Sequence, residues 1–375
     1  MDKLKFAVVG VGRMGSVHAA HLLHGRVRGA ELVAVADIAS EALEAFSKKP
    51  NGVPTFKCYK EMAERVKPDA VIIAVPHYHH ISIARFFLER GINVLIEKPI
   101  SVTTAEADGF NGFLKTLEGV SAAVMYNQRT NPVYKKAKEL LDGGAIGEIR
   151  RIDFTVTGWY RSQAYYNQGG WRASLSGEGG GVLINQCVHQ LDILQWLVGM
   201  PDSIYADIAT VGRRITTEND VTAVFKYRNG AHCLFSASAH ELNGINRIEL
   251  AGDKGRLVIG ERLMKYYFWD KSEPQVNGDT VSGYGSATWH KRVYRYGIRR
   301  IADLILGQQI RIVKNFTRHI LTGEKLISPA DDGISALTLI NGIYLSAWEG
   351  AEIAVPFDGL RYEKLLKAKA EAEKK

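Results

Sequence analysis

The chain has 375 residues, a length that suits two domains, and its 46% hydrophobic and 23% charged residues exclude wholesale disorder. Lys plus Arg outnumbers Asp plus Glu by 48 to 40, but the +8 surplus is spread without a run of five basic residues, so an anionic ligand is expected and a nucleic-acid partner is not. Three scattered cysteines (Cys58, Cys187, Cys233) form no C-x-x-C pair, and the apolar stretches fall well below the ~20 residues of a membrane helix, which predicts a reduced, soluble, cytoplasmic protein with no disulfide framework, no metal site and no membrane partner.

A strand-like run begins at Leu4–Val9, almost at once, so no signal peptide is expected. It meets Gly10-x-Gly12-x-x-Gly15 and passes directly into a helical pattern, Ser16–Leu23. Strand, glycine turn and helix in one unit form a dinucleotide fingerprint. Gly10 permits the sharp turn, Gly12 lets the backbone approach a pyrophosphate, and Gly15 lets helix and strand pack closely. The helix N-terminus then offers free N–H groups to the phosphates.

The second strand, Glu31–Ala36, ends in Asp37, 22 residues past Gly15. That is close to the spacing of the acid that bonds the adenosine ribose, although a turn aspartate would occupy the same place. Its charge repels a 2′-phosphate and Ile38 supplies no cation, which favours NAD over NADP. The continuous apolar run Ala70–Val75 reads as a parallel strand covered on both faces. A helix over about Ile81–Arg90, a stop at Gly91 and a strand Asn93–Ile96 complete the alternation of a doubly wound sheet. Asp37, Pro76–His80 and Glu97-Lys98-Pro99 fall at the carboxyl ends of its strands, where such sheets bind ligands. Lys98, directly after a buried strand, is a candidate base, since desolvation disfavours an ammonium; a lysine there is also commonly solvated. Pro99 fixes the backbone and admits a cis bond.

Composition shifts at about residue 127. A helix is predicted over Pro132–Leu141, then strands over Arg150–Thr157, Ser203–Val211, Asp220–Tyr227, Ala231–Ala239, Asn246–Leu250, Arg256–Ile259 and Lys265–Trp269, alternating as half-buried antiparallel strands do. Helical patterns return at about Ile312–Leu321 and Ala330–Ala347. Residues 270–300 read as an irregular excursion, polar and then basic, and the final EKLLKAKAEAEKK as a solvated helical tail.

Two stretches of this half carry chemistry. In Trp159–Arg172 aromatics interleave with Arg, Gln and Asn, a composition that fits sugar recognition by ring stacking and polar bonding, or equally an aromatic packing loop. Tyr160, Trp171 and Arg172 are its candidate substrate residues. The second is Gly179–Leu197, a glycine loop leading into a helix that places Asn185, His189 and Asp192 on one face, at i, i+4 and i+7. That stripe suits a helix lining a polar cleft, or a solvated face. It is a poor zinc set.

Taken in order, AVVGVGRMG, VAVAD ending at Asp37, AVPHYHH, EKP at Glu97–Pro99, YNQR at Tyr126–Arg129, GEIRRI at 147–152 and GGGVLINQCVHQLD resemble the glucose–fructose oxidoreductase/inositol dehydrogenase (Gfo/Idh/MocA) family along nearly the whole chain. The resemblance implies an α/β protein: a Rossmann domain over residues 1–126, then an α+β domain over 127–375 with a large, mostly antiparallel open sheet that makes a homo-oligomer contact. It implies NAD(P)-dependent chemistry on a secondary alcohol of a sugar, glycoside or cyclitol, and the aromatic stretch resembles a branch associated with sugar carbon 3. The implied cofactor residues are Gly10, Gly12, Arg13, Met14, Gly15, Asp37, Ala74, Pro76, His77, His80, Glu97, Lys98 and Asn127. His77 stands where the family usually has Asn. Lys98 corresponds to the catalytic lysine, which also binds the reacting hydroxyl, and His189 to the catalytic histidine. The family's usual Asp four residues before that histidine is Asn185 here, and an amide cannot accept a proton at neutral pH. Asn185 is therefore left to orient substrate or His189. A rival reading keeps the same residues but recycles a tightly held NAD through transient oxidation, elimination and reduction, giving net glycoside cleavage. A non-enzymatic NAD-sensing scaffold is opposed by the intact Lys98 and His189.

Overall fold

The computed structural model describes residues 3–47, 52–260, 262–279, 283–295 and 307–373. The chain forms two compact units, one of residues 1–127 and 305–337, the other of 128–304 and 338–375.

In the first unit strands and helices alternate: β1 (Leu4–Val9), α1 (Arg13–Leu23), β2 (Ala30–Ala36), α2 (Ser40–Ser47), β3 (Thr55–Phe56), α3 (Tyr59–Val66), β4 (Ala70–Ile73), α4 (His80–Leu88), β5 (Asn93–Ile96), α5 (Thr104–Leu114) and β6 (Ala122–Val124). The six strands pair in the order β3-β2-β1-β4-β5-β6, all parallel. This is the doubly wound dinucleotide order, whose direction reverses between β1 and β4. Residues 70–73 and 94–96 are buried on both faces, the reason these strands read as unbroken apolar runs. A later helix belongs to the same unit: Gln308–Thr322 buries Ile312, Val313 and Phe316 in the core under β1 and β2, with the Phe316 ring edge-on to Phe6 at 6.3 Å. Three such buried side chains contribute roughly 1.5–3 kcal/mol each, enough to hold the segment to this core.

The second unit opens with α6 (Pro132–Asp142), and a short α7 (Gln163–Tyr166) lies further along the chain. Asn131 caps α6 by accepting the Val133 N–H at 2.9 Å, and Pro132 sits in the first turn, where its missing N–H costs nothing. Nine strands follow in one sheet: β7 (Ile149–Val156), β8 (Ser203–Ala209), β9 (Asp220–Lys226), β10 (His232–Ser238), β11 (Asn246–Gly252), β12 (Gly255–Ile259), β13 (Leu263–Trp269), β14 (Trp289–Arg295) and β15 (Ile353–Ala354). Their order is β14-β13-β12-β11-β7-β10-β9-β8-β15, antiparallel throughout except for the parallel β7–β10 pair. Ile152, Phe154 and Val156 alternate inward on β7, and the Phe154 ring meets Phe235, which stacks on Phe225.

Three expectations are corrected here. Within 270–300, the described residues form a short helix, Glu273–Asp279, and strand β14 rather than an irregular excursion, with 280–282 and 296–300 lying outside the described residues. The basic stretch is an edge strand almost wholly exposed, so no burial pattern marks it. The terminal helix, Gly359–Ala372, is not simply solvated: Tyr362 and Leu366 are buried, Tyr362 stacks parallel to Trp348 at 5.6 Å, and Glu373 accepts from the Leu175 and Ser176 N–H groups. Finally, the stripe of Asn185, His189 and Asp192 does not line a cleft along its whole length, because its Asp192 end is closed off from solvent. Leu183–Cys187 forms a π-helical turn before α8 (Val188–Val198). Asp192 is fully buried, whereas Asn185 and His189 are half-buried.

Candidate active site

The first unit builds a cradle at the carboxyl ends of β1 and β2. Gly10 turns the chain with φ +82°, its N–H bonded to Ala36 O at 2.8 Å, and a Cβ there would lie 2.4 Å from Ala74 O. A Cβ on Gly15 would lie 1.7 Å from Gly10 O, so helix and turn meet at a distance that only glycine allows. Gly12 has no side chain to cap α1 and faces open space, and Arg13 is exposed beside it, while Met14 is half-buried in the first turn. The first-turn N–H groups are thus left for an anion.

Asp37 Oδ2 accepts from Val11 N–H at 2.7 Å and Oδ1 from Ala39 N–H at 2.9 Å. An ionised carboxylate has about four lone-pair sites, so each oxygen keeps acceptor capacity for a ribose hydroxyl. An uncapped helix, a glycine cradle and a half-buried acid together fit a dinucleotide.

Next along the strand ends, Pro76 is exposed and His77 buried beside His80, ring centroids 5.8 Å apart. The buried His80 ring bridges two segments, with Nδ1 2.7 Å from Pro99 O and Nε2 2.8 Å from Val75 O. It pins the residues after β5 to those after β4. Glu97, also buried, bonds His18 of α1 through Oε1 at 2.7 Å and accepts the Lys98 N–H through Oε2 at 3.1 Å. The Glu-Lys-Pro segment is therefore fastened to the nucleotide helix on one side and to His80 on the other. Lys98 itself is half-buried, and the Lys98–Pro99 bond is cis. Asn127 is buried, its amide donating to Gln308 at 3.4 Å.

In the second unit the glycine run is a site of close approach. Gly180 has φ +152°, and a Cβ on it would meet the Tyr344 hydroxyl, while one on Gly181 would meet Glu218 O. The π-helical turn that follows carries Asn185, whose Nδ2 donates to Glu178, and α8 carries His189. Sequence reasoning missed Glu178, although a carboxylate directly before a glycine run was in view. It also missed Glu218, which accepts from Leu183 N–H at 2.9 Å and from the Tyr344 hydroxyl at 2.7 Å. Burial pushes the Glu218 carboxyl up to about 7 against those hydrogen bonds.

The aromatic stretch is tied to the same turn. The Arg172 guanidinium lies over the rings of Tyr165 and Trp171, 5.2 and 4.8 Å from their centroids, and Nη1 donates to the Tyr165 hydroxyl, which also accepts from Gln186. Arg172 lines an open polar cleft with Asn167, Arg214 and Thr216, but Tyr160, Trp171, Asn185 and His189 are not part of that cleft's wall. Tyr160 is exposed, under the Arg213 guanidinium.

A doubly wound parallel sheet with this cradle defines a dinucleotide-binding unit. Residues 4–123 match the oxidoreductase family with an NAD-binding Rossmann fold, and residues 134–258 match the GFO/IDH/MocA C-terminal domain. The chain belongs to the Gfo/Idh/MocA family, and its cofactor is NAD. Inositol 2-dehydrogenase of Rhizobium meliloti (strain 1021) is 23% identical over 364 residues, spanning 94% of this chain and 99% of that protein. The scyllo-inositol 2-dehydrogenase (NAD(+)) of Bacillus subtilis (strain 168) is 29% identical over 270 residues, 69% of this chain and 74% of that one. Among solved structures, the WlbA dehydrogenase from Bordetella pertussis in complex with NADH and UDP-GlcNAcA superimposes with a TM-score of 0.77 at 26% identity, covering 95% of this chain and all of that one. No helix among the described residues is long and apolar enough to cross a membrane.

Proposed function

We propose that this NAD-dependent dehydrogenase of CH–OH groups oxidises a secondary ring hydroxyl of a sugar, glycoside or cyclitol, with Lys98 and His189 managing the hydroxyl proton. NAD, when bound, supplies the hydride acceptor. Lys98 holds the reacting oxygen and draws its proton, and His189 takes or returns that proton. Asn185 orients the substrate through its amide. Trp171 and Arg172 support a saccharide partner, an aromatic face beside a guanidinium of fixed direction, and Tyr160 adds an exposed ring; carbon 3 is the ring position to which this stretch's resemblance points. The names of the relatives, inositol dehydrogenases and a nucleotide-sugar dehydrogenase, support the same substrate class. Exposed Tyr205 and Leu234 on the nine-stranded sheet support a homo-oligomer through that face.

The observation that carries this reading is the fastening of Lys98. Its neighbours Glu97 and Pro99 are buried and bonded to His18 and His80, so the lysine projects from a rigid strand end rather than a solvated loop. Substituting Lys98→Ala or His189→Ala is expected to lower kcat by roughly 10²- to 10⁴-fold while leaving the Kd for NAD unchanged. Wild-type turnover in both variants would overturn the assignment.

A further inference from the structure

We infer that Glu178 is a positioning residue: its carboxylate fixes the direction of the Asn185 amide and, with its other oxygen, holds the substrate-loop backbone at Ala173. The inference rests on the role given above to Asn185. Glu178 is 2% exposed, directly before the glycine run. Oε1 accepts from Asn185 Nδ2. Oε2 accepts from the Ala173 N–H at 2.7 Å. Ala173 has φ +48°, a left-handed conformation that a residue with a Cβ holds only when its surroundings impose it. One buried group thus ties the end of the Trp171–Ala173 segment to the turn that carries Asn185.

The direction of the amide follows from the chemistry of its partner. An ionised carboxylate only accepts hydrogen bonds, so Asn185 must turn its NH₂ toward Glu178. Its carbonyl oxygen then points away from Glu178, in a direction that this contact sets. An aspartate introduced at 185 would put two carboxylates in contact, and one would have to hold a proton. Replacing Glu178 by glutamine in that background restores a donor facing an acceptor, with the polarity reversed: the new amide NH₂ donates to the carboxylate at 185, and its oxygen keeps the Ala173 N–H.

The test is a double-mutant cycle of wild type, E178Q, N185D and E178Q/N185D, using the full chain with NAD. It is read both as thermal unfolding midpoint and as kcat and KM with a substrate that reduces NAD. Each single variant is expected to lower kcat by about tenfold and N185D to lower the midpoint by several degrees, whereas the double variant returns to within about threefold of wild-type kcat and regains the midpoint. Additive losses in both readouts would mean that the two side chains are uncoupled and would overturn the inference. Coupling in the midpoint with additive losses in kcat would leave Glu178 a structural contact only, and would overturn its positioning role. A wild-type enzyme that reduces no NAD with any sugar or cyclitol would instead overturn the functional reading, whatever the thermal cycle gives.

Discussion

Arg129 and Asp192 form a two-pronged ion pair, Nε to Oδ2 at 2.9 Å and Nη2 to Oδ1 at 2.6 Å, with both side chains almost wholly withdrawn from water. Gln195 donates to the same carboxylate at 3.0 Å. The pair anchors α8 one turn past His189. Removing one partner strands a buried charge, so Asp192→Asn is expected to lower the unfolding free energy by about 3–5 kcal/mol. The apolar double replacement R129M/D192L should cost less than either single change, because no charge is then left buried. Urea unfolding midpoints of D192N, R129M, D192L and R129M/D192L check this ordering.

Glu218 makes stability depend on pH. Burial raises its carboxyl from 4.5 to about 7, so the folded chain binds that proton more tightly than the unfolded chain does. The contribution to stability is therefore fully present below the unfolded value and is lost as pH rises through the folded one. Between pH 4.5 and 7.5 the loss amounts to about 3 kcal/mol. Glu218→Gln keeps one carbonyl acceptor for the Gly181 and Leu183 N–H groups and does not titrate. Its unfolding free energy, measured across that interval, should lack this component of the wild-type slope.

Asp37 sits at the end of β2 with Ile38, 90% exposed, beside it. A 2′-phosphate there would face a carboxylate, and Ile38 supplies no cation to offset it. The double variant D37S/I38R removes the repulsion and supplies a guanidinium, and should shift the NADP-to-NAD ratio of kcat/KM toward NADP by about 10- to 100-fold. An unchanged ratio would place the ribose elsewhere.

The first unit was legible because its signals are local. Continuous apolar runs at 70–73 and 94–96, glycines at fixed offsets and an acid at a fixed distance each follow from one segment of chain. The strands β7 to β13 were legible because one face of each is buried and the alternation survives in the residues. Strand β14 was not: it lies at the sheet edge with nearly every side chain exposed, and a strand with no buried face carries no period. The π-helical turn was illegible for a related reason, since apolar spacing does not distinguish one extra residue in a turn. Asp192 read as part of a polar stripe because its partner, Arg129, lies 63 residues away and only the fold brings them together. The same holds for Glu97 with His18 and for Glu373 with the turn at Leu175 and Ser176.

The central claim is oxidation of a ring hydroxyl with NAD as the hydride acceptor. Its most direct test is NADH absorbance after mixing the purified protein and NAD with glucosides, inositols, free aldoses and uronic acids. NADH is expected to accumulate with at least one of these classes, and Lys98→Ala to abolish the signal while still binding NAD. No NADH from any class, with NAD binding confirmed by titration, would contradict the claim.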